Sequence, residues 1–269
     1  MNDNTCVEFL QWALPKMRMR WPGFRKVRRQ VCKRIAVRLQ ELNLSGLSDY
    51  KTYLTAHPEE WKKMDSFCCI SISRFYRDRS VFHFLQDIVL EELAKETETN
   101  RLRCWSCGCA AGEEPYTLSL IWHQVLKPYF SAMDLEIIAT DSMDTMLNRA
   151  VKGRYNKSSI KELPEKFLQA AFNVQDKEYI LKSQYRDSVR FIKQDVRKIM
   201  PGGPFHLILC RYLVFTYFDE KLQAELLEKM LSRLVPGGVL VLGKIDHLPC
   251  MTEKLEPWSA QDRIYRKVR

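Results

Sequence analysis

Apolar positions recur at helical spacing through the first part of the chain. Cys6 to Met17, Phe24 to Leu42, Leu47 to Ala56 and Pro58 to Phe67 each read as a helix with one apolar face. The last two are separated by His57-Pro58, with Glu59 and Glu60 in a first turn. From Ser80 the pattern changes, and helices alternate with short continuous apolar runs. Helices are expected over Val81 to Lys95, Glu113 to Val125, Met143 to Val151 and Glu220 to Leu234. Strands are expected at Leu102 to Cys107, Leu135 to Thr140, Val189 to Lys193, Phe205 to Cys210, Gly238 to Gly243 and a closing Arg263 to Val268. Such alternation predicts a mostly parallel sheet covered on both faces, an α/β domain. Between Gly153 and Ser188 the rhythm lapses at Pro164 and the alternating Tyr179-Ile180-Leu181-Lys182, which predicts an inserted subdomain over about residues 154–188. The expected organisation is a basic helical domain over residues 1–69, a linker over 70–79 and the α/β domain over 80–269.

Within this pattern one turn carries candidate chemistry. An apolar approach, Arg103-Cys104-Trp105-Ser106-Cys107, breaks into Gly108-Cys109-Ala110-Ala111-Gly112 and then opens a helix with Glu113 and Glu114. The next strand closes on Asp141, where an acid can hold the hydroxyls of a ribose. The turn lacks the G-x-G-x-x-G spacing and Asp141 follows by more than the ~20 residues of a dinucleotide site, so NAD is disfavoured. Acids in the first helical turn would repel a pyrophosphate but suit a cationic ligand, or they simply complement the helix dipole. S-adenosylmethionine, with an adenosine, a sulfonium and an α-ammonium and no pyrophosphate, fits better than a dinucleotide.

The 269 residues carry a formal net charge of +10 and 46% hydrophobic residues, which suits a globular protein with a sizeable core. The charge is uneven: Pro15 to Arg38 contains many basic residues and no acid. Phe24, Val27, Val31, Ile35, Val37, Leu39 and Leu42 give this stretch an apolar face. The opposite face, with Arg25, Lys26, Arg28, Arg29, Lys33 and Arg34, would attract an acidic protein. Aromatic interleaving is limited to Trp21 and Phe24, so nucleic acid is not favoured. Nine cysteines, an odd number without a framework spacing, predict free thiols and a reducing compartment. Cys104-Trp105-Ser106-Cys107 is formally a C-x-x-C, but without a second pair it reads as small buried residues at a strand end rather than a zinc site. Apolar runs are too short to span a membrane, and Met1-Asn2-Asp3-Asn4-Thr5-Cys6 lacks the order of a signal peptide, so a soluble, cytoplasmic protein is expected; a monomer is the separate expectation for its assembly.

Several motifs, in this order and spacing, resemble the CheR-type chemoreceptor glutamate methyltransferases that use S-adenosylmethionine. They are Ser71-Ile72-Ser73-Arg74-Phe75-Tyr76-Arg77-Asp78, Trp105 to Leu118, Ala139-Thr140-Asp141, Gly153-Arg154-Tyr155, Cys210-Arg211 with Tyr217-Phe218, and Pro236-Gly237-Gly238 with Leu242-Gly243. The resemblance spans nearly the whole chain, including the basic helix ahead of Ala56-His57-Pro58-Glu59-Glu60-Trp61. It implies a class I (Rossmann-like) methyltransferase sheet with an N-terminal helical domain and a small inserted subdomain. It also implies cofactor contacts at Ser71, Ser73 and Arg77 in the linker, Gly108 and Gly112 in the turn, Glu114 at the methionine moiety and Asp141 at the ribose. Asp195 and Val196 would lie beside the adenine, Arg211 and Tyr212 near the cofactor, and Arg77 and Tyr217 near the transferred methyl.

Two departures from the family pattern stand out. Where the family writes Cys-Arg-Asn and four residues to the Phe, this chain has Cys210-Arg211-Tyr212 and one residue more before Phe218. Tyrosine cannot reproduce the paired donor and acceptor of an asparagine amide. After Gly243, Lys244-Ile245-Asp246-His247 replaces a usual Ser-Glu pair. None of His57, His83, His123, His206 or His247 sits in a motif for a catalytic base, and a glutamate acceptor, with an ordinary pKa of about 4.3, needs none. The favoured reading is glutamate methyl-ester formation. A methyltransferase acting on another protein side chain, a small molecule or a nucleic acid, and a catalytically impaired cofactor- or partner-binding module, remain as alternatives.

Overall fold

Leu10, Ala13, Val31, Ile35, Leu39, Leu54 and Met64 fall on the inward stripes of short helices, and burying those stripes against one another builds a helical unit. The computed structural model describes residues 3–250 and 252–269. The helical unit runs up to Ile70 and takes in Thr216–Gln223; it holds α1 (Asp3–Ala13), α2 (Trp21–Phe24), α3 (Arg28–Glu41), α4 (Leu47–Ala56) and α5 (Glu60–Phe67). The late segment is bound by main-chain hydrogen bonds, from Arg20 N–H to Tyr217 O at 2.9 Å and from Asp219 N–H to Arg18 O at 2.9 Å.

Two expectations are corrected here. The single helix over Phe24 to Leu42 is broken between Phe24 and Arg28, and Val37 is 48% exposed. Val31, Ile35 and Leu39 form the stripe at i, i+4 and i+8, whereas Val37 points about 200° around the helix from Ile35. The expectation that every thiol is free fails at Cys6 and Cys32, which form a disulfide with Cα atoms 6.2 Å apart. Both are buried in the packing of α1 against α3, a juxtaposition that their spacing does not announce.

The second unit comprises Ser71–Phe215 and Ala224–Arg269. It begins with α6 (Arg79–Phe84) and α7 (Leu90–Glu96), joined by a wide turn over Leu85–Val89 in which Leu90 N–H bonds to Leu85 O. Then follow β1 (Arg101–Cys107), α8 (Glu113–Ile121), β2 (Asp134–Asp141), α9 (Asp144–Lys152), β3 (Arg154–Tyr155), α10 (Lys157–Ile160), α11 (Glu165–Ala171), β4 (Phe172–Gln175), β5 (Glu178–Leu181), β6 (Val189–Lys193) and β7 (Phe205–Cys210). The chain continues through α12 (Val214–Tyr217), α13 (Glu220–Leu231), β8 (Leu234–Leu242), β9 (Leu255–Ser259) and β10 (Ile264–Lys267).

Seven strands form one sheet in the order β6-β2-β1-β7-β8-β10-β9. Pairing is parallel from β6 to β8 and antiparallel at β10 and β9. Leu102, Cys104, Ile137, Leu207, Leu209, Val239 and Val241 are buried in its core, and the continuous apolar runs follow from a sheet covered on both faces. Strand β9, with its Glu256-Pro257, carries no apolar run and was not expected; it is an edge strand, where proline is tolerated. Residues from Gly153 onward supply the separate three-stranded antiparallel sheet β3-β5-β4. The strand order reverses direction between β1 and β7, so a crevice at the carboxyl ends of these two strands is where a ligand is expected. Among the described residues no helix is long and apolar enough to cross a membrane.

Candidate functional site

Strand β1 ends at Cys107 because the chain turns at Gly108, whose φ of +80° belongs to the left-handed region glycine tolerates. A Cβ on Gly108 would come within 2.7 Å of Leu213 in the loop after β7, so this side of the switch point accepts no side chain. The loop is pinned to β2: Gly108 N–H and Cys109 N–H both bond to Thr140 O, at 2.8 and 3.0 Å. Asp141 completes the clamp, its Oδ2 accepting from Ala110 N–H at 3.0 Å and its Oδ1 from Met143 N–H at 2.9 Å. Burial pushes the Asp141 carboxyl above its ordinary value, against the opposing pull of those N–H groups. Each oxygen keeps further lone-pair capacity, enough to accept a pair of vicinal hydroxyls.

Gly112, also left-handed, leads into α8, whose first turn places two acids in different settings. Glu113 is 2% exposed and bonds to Ser73 and Ser159, while its Oε2 has no partner among the described residues. Burial raises its pKa, since a charge there loses its water. Glu114 accepts from Ser106 Oγ at 2.7 Å and from Arg211 Nη1 at 3.0 Å.

Arg211 follows the last residue of β7 and gathers a cluster that the sequence pattern only half announced. Its Nη2 donates to Asp78 Oδ2 at 2.6 Å and to Arg77 O at 2.8 Å. The adjacent Tyr212 has a left-handed backbone, φ 56°, and its N–H bonds to Asp246 Oδ2 at 2.8 Å. Its hydroxyl donates to Asp78 Oδ2 at 2.5 Å, and the Arg77 guanidinium carbon lies 3.8 Å from its ring centre. Burial, then the bond to Asp78, leave the phenol pKa pushed up to about 12. Arg77, Glu114, Arg211 and Tyr212 are therefore brought together, joined by Asp78, Ser106 and the 1%-exposed Asp246, which sequence reasoning did not select. The Asp246 signal was present in the departure after Gly243, but its role depends on the loop folding back on Tyr212.

The other selected residues lie as follows. Ser71 Oγ points at Met143 Sδ, 3.2 Å away. Asp195 is held by Arg197, with Oδ2 2.8 Å from Nη2; burial pushes its pKa up, but the guanidinium overrides this and holds it below the ordinary value. Val196 beside it is buried. Tyr217 belongs to the helical unit, where its ring packs on Phe24 at 4.8 Å. On the basic helix, Arg28 pairs with Asp3 at 2.8 Å and Arg34 Nη1 donates to Phe67 O and Cys69 O, each at 2.7 Å. Arg25, Lys26, Arg29 and Lys33 are exposed. His206 Nδ1 accepts from Arg103 N–H, and its pKa is lowered by burial.

With acids rather than free N–H groups fronting α8, the arrangement suits a ligand with a cationic end and vicinal hydroxyls, not a pyrophosphate. Residues 71–264 match the family model described as CheR methyltransferase, SAM binding domain. Chemotaxis protein methyltransferase 2 of Vibrio cholerae is 31% identical over 219 residues, covering 79% of this chain and 75% of the relative. A chemotaxis protein methyltransferase of Listeria monocytogenes is 33% identical over 178 residues, 66% of each chain. Among solved structures, the N-methyltransferase NodS from Bradyrhizobium japonicum, in complex with S-adenosyl-L-homocysteine, aligns at 16% identity over 72% of this chain and 88% of its own, with a TM-score of 0.39.

Proposed function

The chain belongs to the CheR methyltransferase family, with S-adenosylmethionine as methyl donor, and we propose that it forms methyl esters on glutamate side chains of a protein. The observation that carries this reading is the state of Arg77. Its guanidinium is stacked on Tyr212 and bonded to Ile72 O at 2.7 Å, and among the described residues no carboxylate pairs with it. A cation kept in this way suits an anionic acceptor.

In this reading Glu114 receives the cationic end of the cofactor and Asp141 its ribose hydroxyls, while Gly108 and Gly112 supply the left-handed backbone that shapes the turn between them. Ser71, Ser73, Asp195 and Val196 line the remainder, with the Asp195 charge already balanced by Arg197. When bound, S-adenosylmethionine supplies an electrophilic methyl group on a sulfonium. Arg77 holds the acceptor carboxylate in line and no residue removes a proton, because a glutamate is ionised at neutral pH. Arg77 positions rather than neutralises, since full pairing would blunt the nucleophile. Arg25, Lys26, Arg29 and Lys33 form the face that attracts an acidic helical protein, Arg28 and Arg34 being engaged within the helical unit.

The test uses a two-stranded coiled coil presenting surface Glu-Glu pairs and a twin with Gln in their place. Methyl-labelled cofactor should give base-labile label on the Glu coil alone. An Asp141→Ala variant should lose cofactor binding by calorimetry, and label at a base-stable position or on both coils would refute ester formation.

A further inference from the structure

We infer that Tyr212 is a positioning residue that keeps Arg77 out of an internal ion pair and so sets the preference of the site for a carboxylate-bearing acceptor. This rests on the glutamate reading above and assigns it a second determinant. Tyr212 stands where the resembled family has asparagine, so the device belongs to this chain.

The ring is held in a slot. Its backbone N–H is taken by Asp246, which also accepts from Gly243 N–H at 3.0 Å. A Cβ on Gly243 would come within 2.8 Å of two ring carbons, so the glycine is what allows the ring to lie flat there. At its tip the hydroxyl accepts from Lys244 N–H at 3.3 Å while donating to Asp78. Across its face lies Arg77, at the separation of a cation–π stack.

The consequence concerns Asp78, the residue next to Arg77 in sequence. Asp78 could pair with Arg77, yet its Oδ2 is occupied twice, by Arg211 Nη2 and by the Tyr212 hydroxyl. Of the other two acids of the cluster, Glu114 has its charge paired by Arg211 and accepts from Ser106, and Asp246 Oδ2 accepts from the N–H groups of Tyr212 and Gly243. Arg211, with a side chain 3% exposed, thus engages both Asp78 and Glu114, and Tyr212 supplies the second donor to Asp78 Oδ2. Arg77 is left with a carbonyl and a ring, both neutral partners, and retains donors for an incoming carboxylate. A ring that only filled space would need no hydroxyl at this point.

The test measures binding of the Glu coil and its Gln twin in the presence of S-adenosylhomocysteine, with calorimetry of that ligand reporting an intact cofactor site. Tyr212→Phe frees Asp78 to compete for Arg77; it should weaken the Glu coil about tenfold, as expected for one charge-assisted hydrogen bond, and leave the Gln twin unchanged. Adding Asp78→Asn removes the competitor and should restore the Glu coil to within about twofold of wild type. Tyr212→Leu, which also removes the stack, should weaken the Glu coil further, toward the level of Arg77→Met. Equal weakening of both coils, or no weakening in Tyr212→Phe and Tyr212→Leu, would overturn the assignment of Tyr212 alone. A wild-type protein that binds S-adenosylhomocysteine but holds both coils equally would overturn the glutamate reading itself.

Discussion

Arg211 Nη1 lies 3.0 Å from Glu114 Oε2, so a guanidinium at the end of β7 is fixed to the first turn of α8 across the switch point of the sheet. The same side chain holds Asp78 from its other nitrogen at 2.6 Å. Replacing Arg211 by Met strands two partly buried carboxylates, and a loss of about 3–5 kcal/mol is expected, as when one partner of a buried pair is removed. Denaturant unfolding measures the loss, and cofactor affinity should fall with it. A loss below about 1 kcal/mol would mean that water already supports both acids.

In the helical unit Arg38 pairs with Glu60 at 2.8 Å, and Tyr50 donates its hydroxyl to the same carboxylate at 2.8 Å. The Arg38 bond holds the Glu60 carboxyl below its ordinary 4.5, so its stabilisation is present above about that pH and is lost as pH falls through the lowered value. Glu60→Gln should cost about 2 kcal/mol at pH 7, under the figure for a fully buried pair because the Arg38 side chain keeps 22% exposure. The deficit should shrink on acidification, which unfolding curves at pH 7 and pH 3 would reveal.

The Cys6–Cys32 disulfide closes a loop with a sequence separation of 26. Loop-closure entropy for that length gives about 3.5 kcal/mol of stabilisation. Reduction, or the pair Cys6→Ala and Cys32→Ala, should lower the unfolding midpoint of the helical unit by a corresponding amount. Thiol titration before and after reduction checks that these two sulfurs, rather than the remaining free cysteines, account for the change.

Glu113 is the opposite case to Glu60. Burial raises its pKa in the folded state, so the protonated form is favoured and stability falls as pH rises above about 4.5 toward the raised value. Glu113→Gln keeps the hydrogen-bonding shape without the charge; it should raise the melting temperature at pH 7 by a few degrees and flatten its decline with pH. An unchanged pH profile would show that the Glu113 charge is balanced in solution.

Much of the architecture was legible in order of elements. Val189–Lys193 and Phe205–Cys210 are strands with the expected bounds, and Leu47–Ala56 is the expected helix, because each carries its periodicity within a few residues. The glycine turn and the acids at Glu114 and Asp141 were legible for the same reason: strand ends and first helical turns are local events. The break at Phe24 and the strand Leu255–Ser259 were not, since the first depends on which stripe is buried and the second on an edge partner. Arg77 and Tyr217, both expected near the transferred methyl, belong one to each unit, and that membership is set by packing rather than by local pattern.

The amino-acid pattern by itself determined an α/β sheet fed by a glycine loop, with carboxylates at the carboxyl ends of its strands, because those features are encoded between neighbours one helical turn or one strand pleat apart. Tertiary structure alone decided which charges are used up. Arg211 meets Asp78 across 133 residues and Glu114 across 97, Cys6 finds Cys32 through helix packing, and Asp246 returns to cap Tyr212. Pairings at that range carry no periodic signature; they exist only once burial has fixed where each element lies, and among the described residues they engage Asp78 and Glu114 while no carboxylate pairs with Arg77.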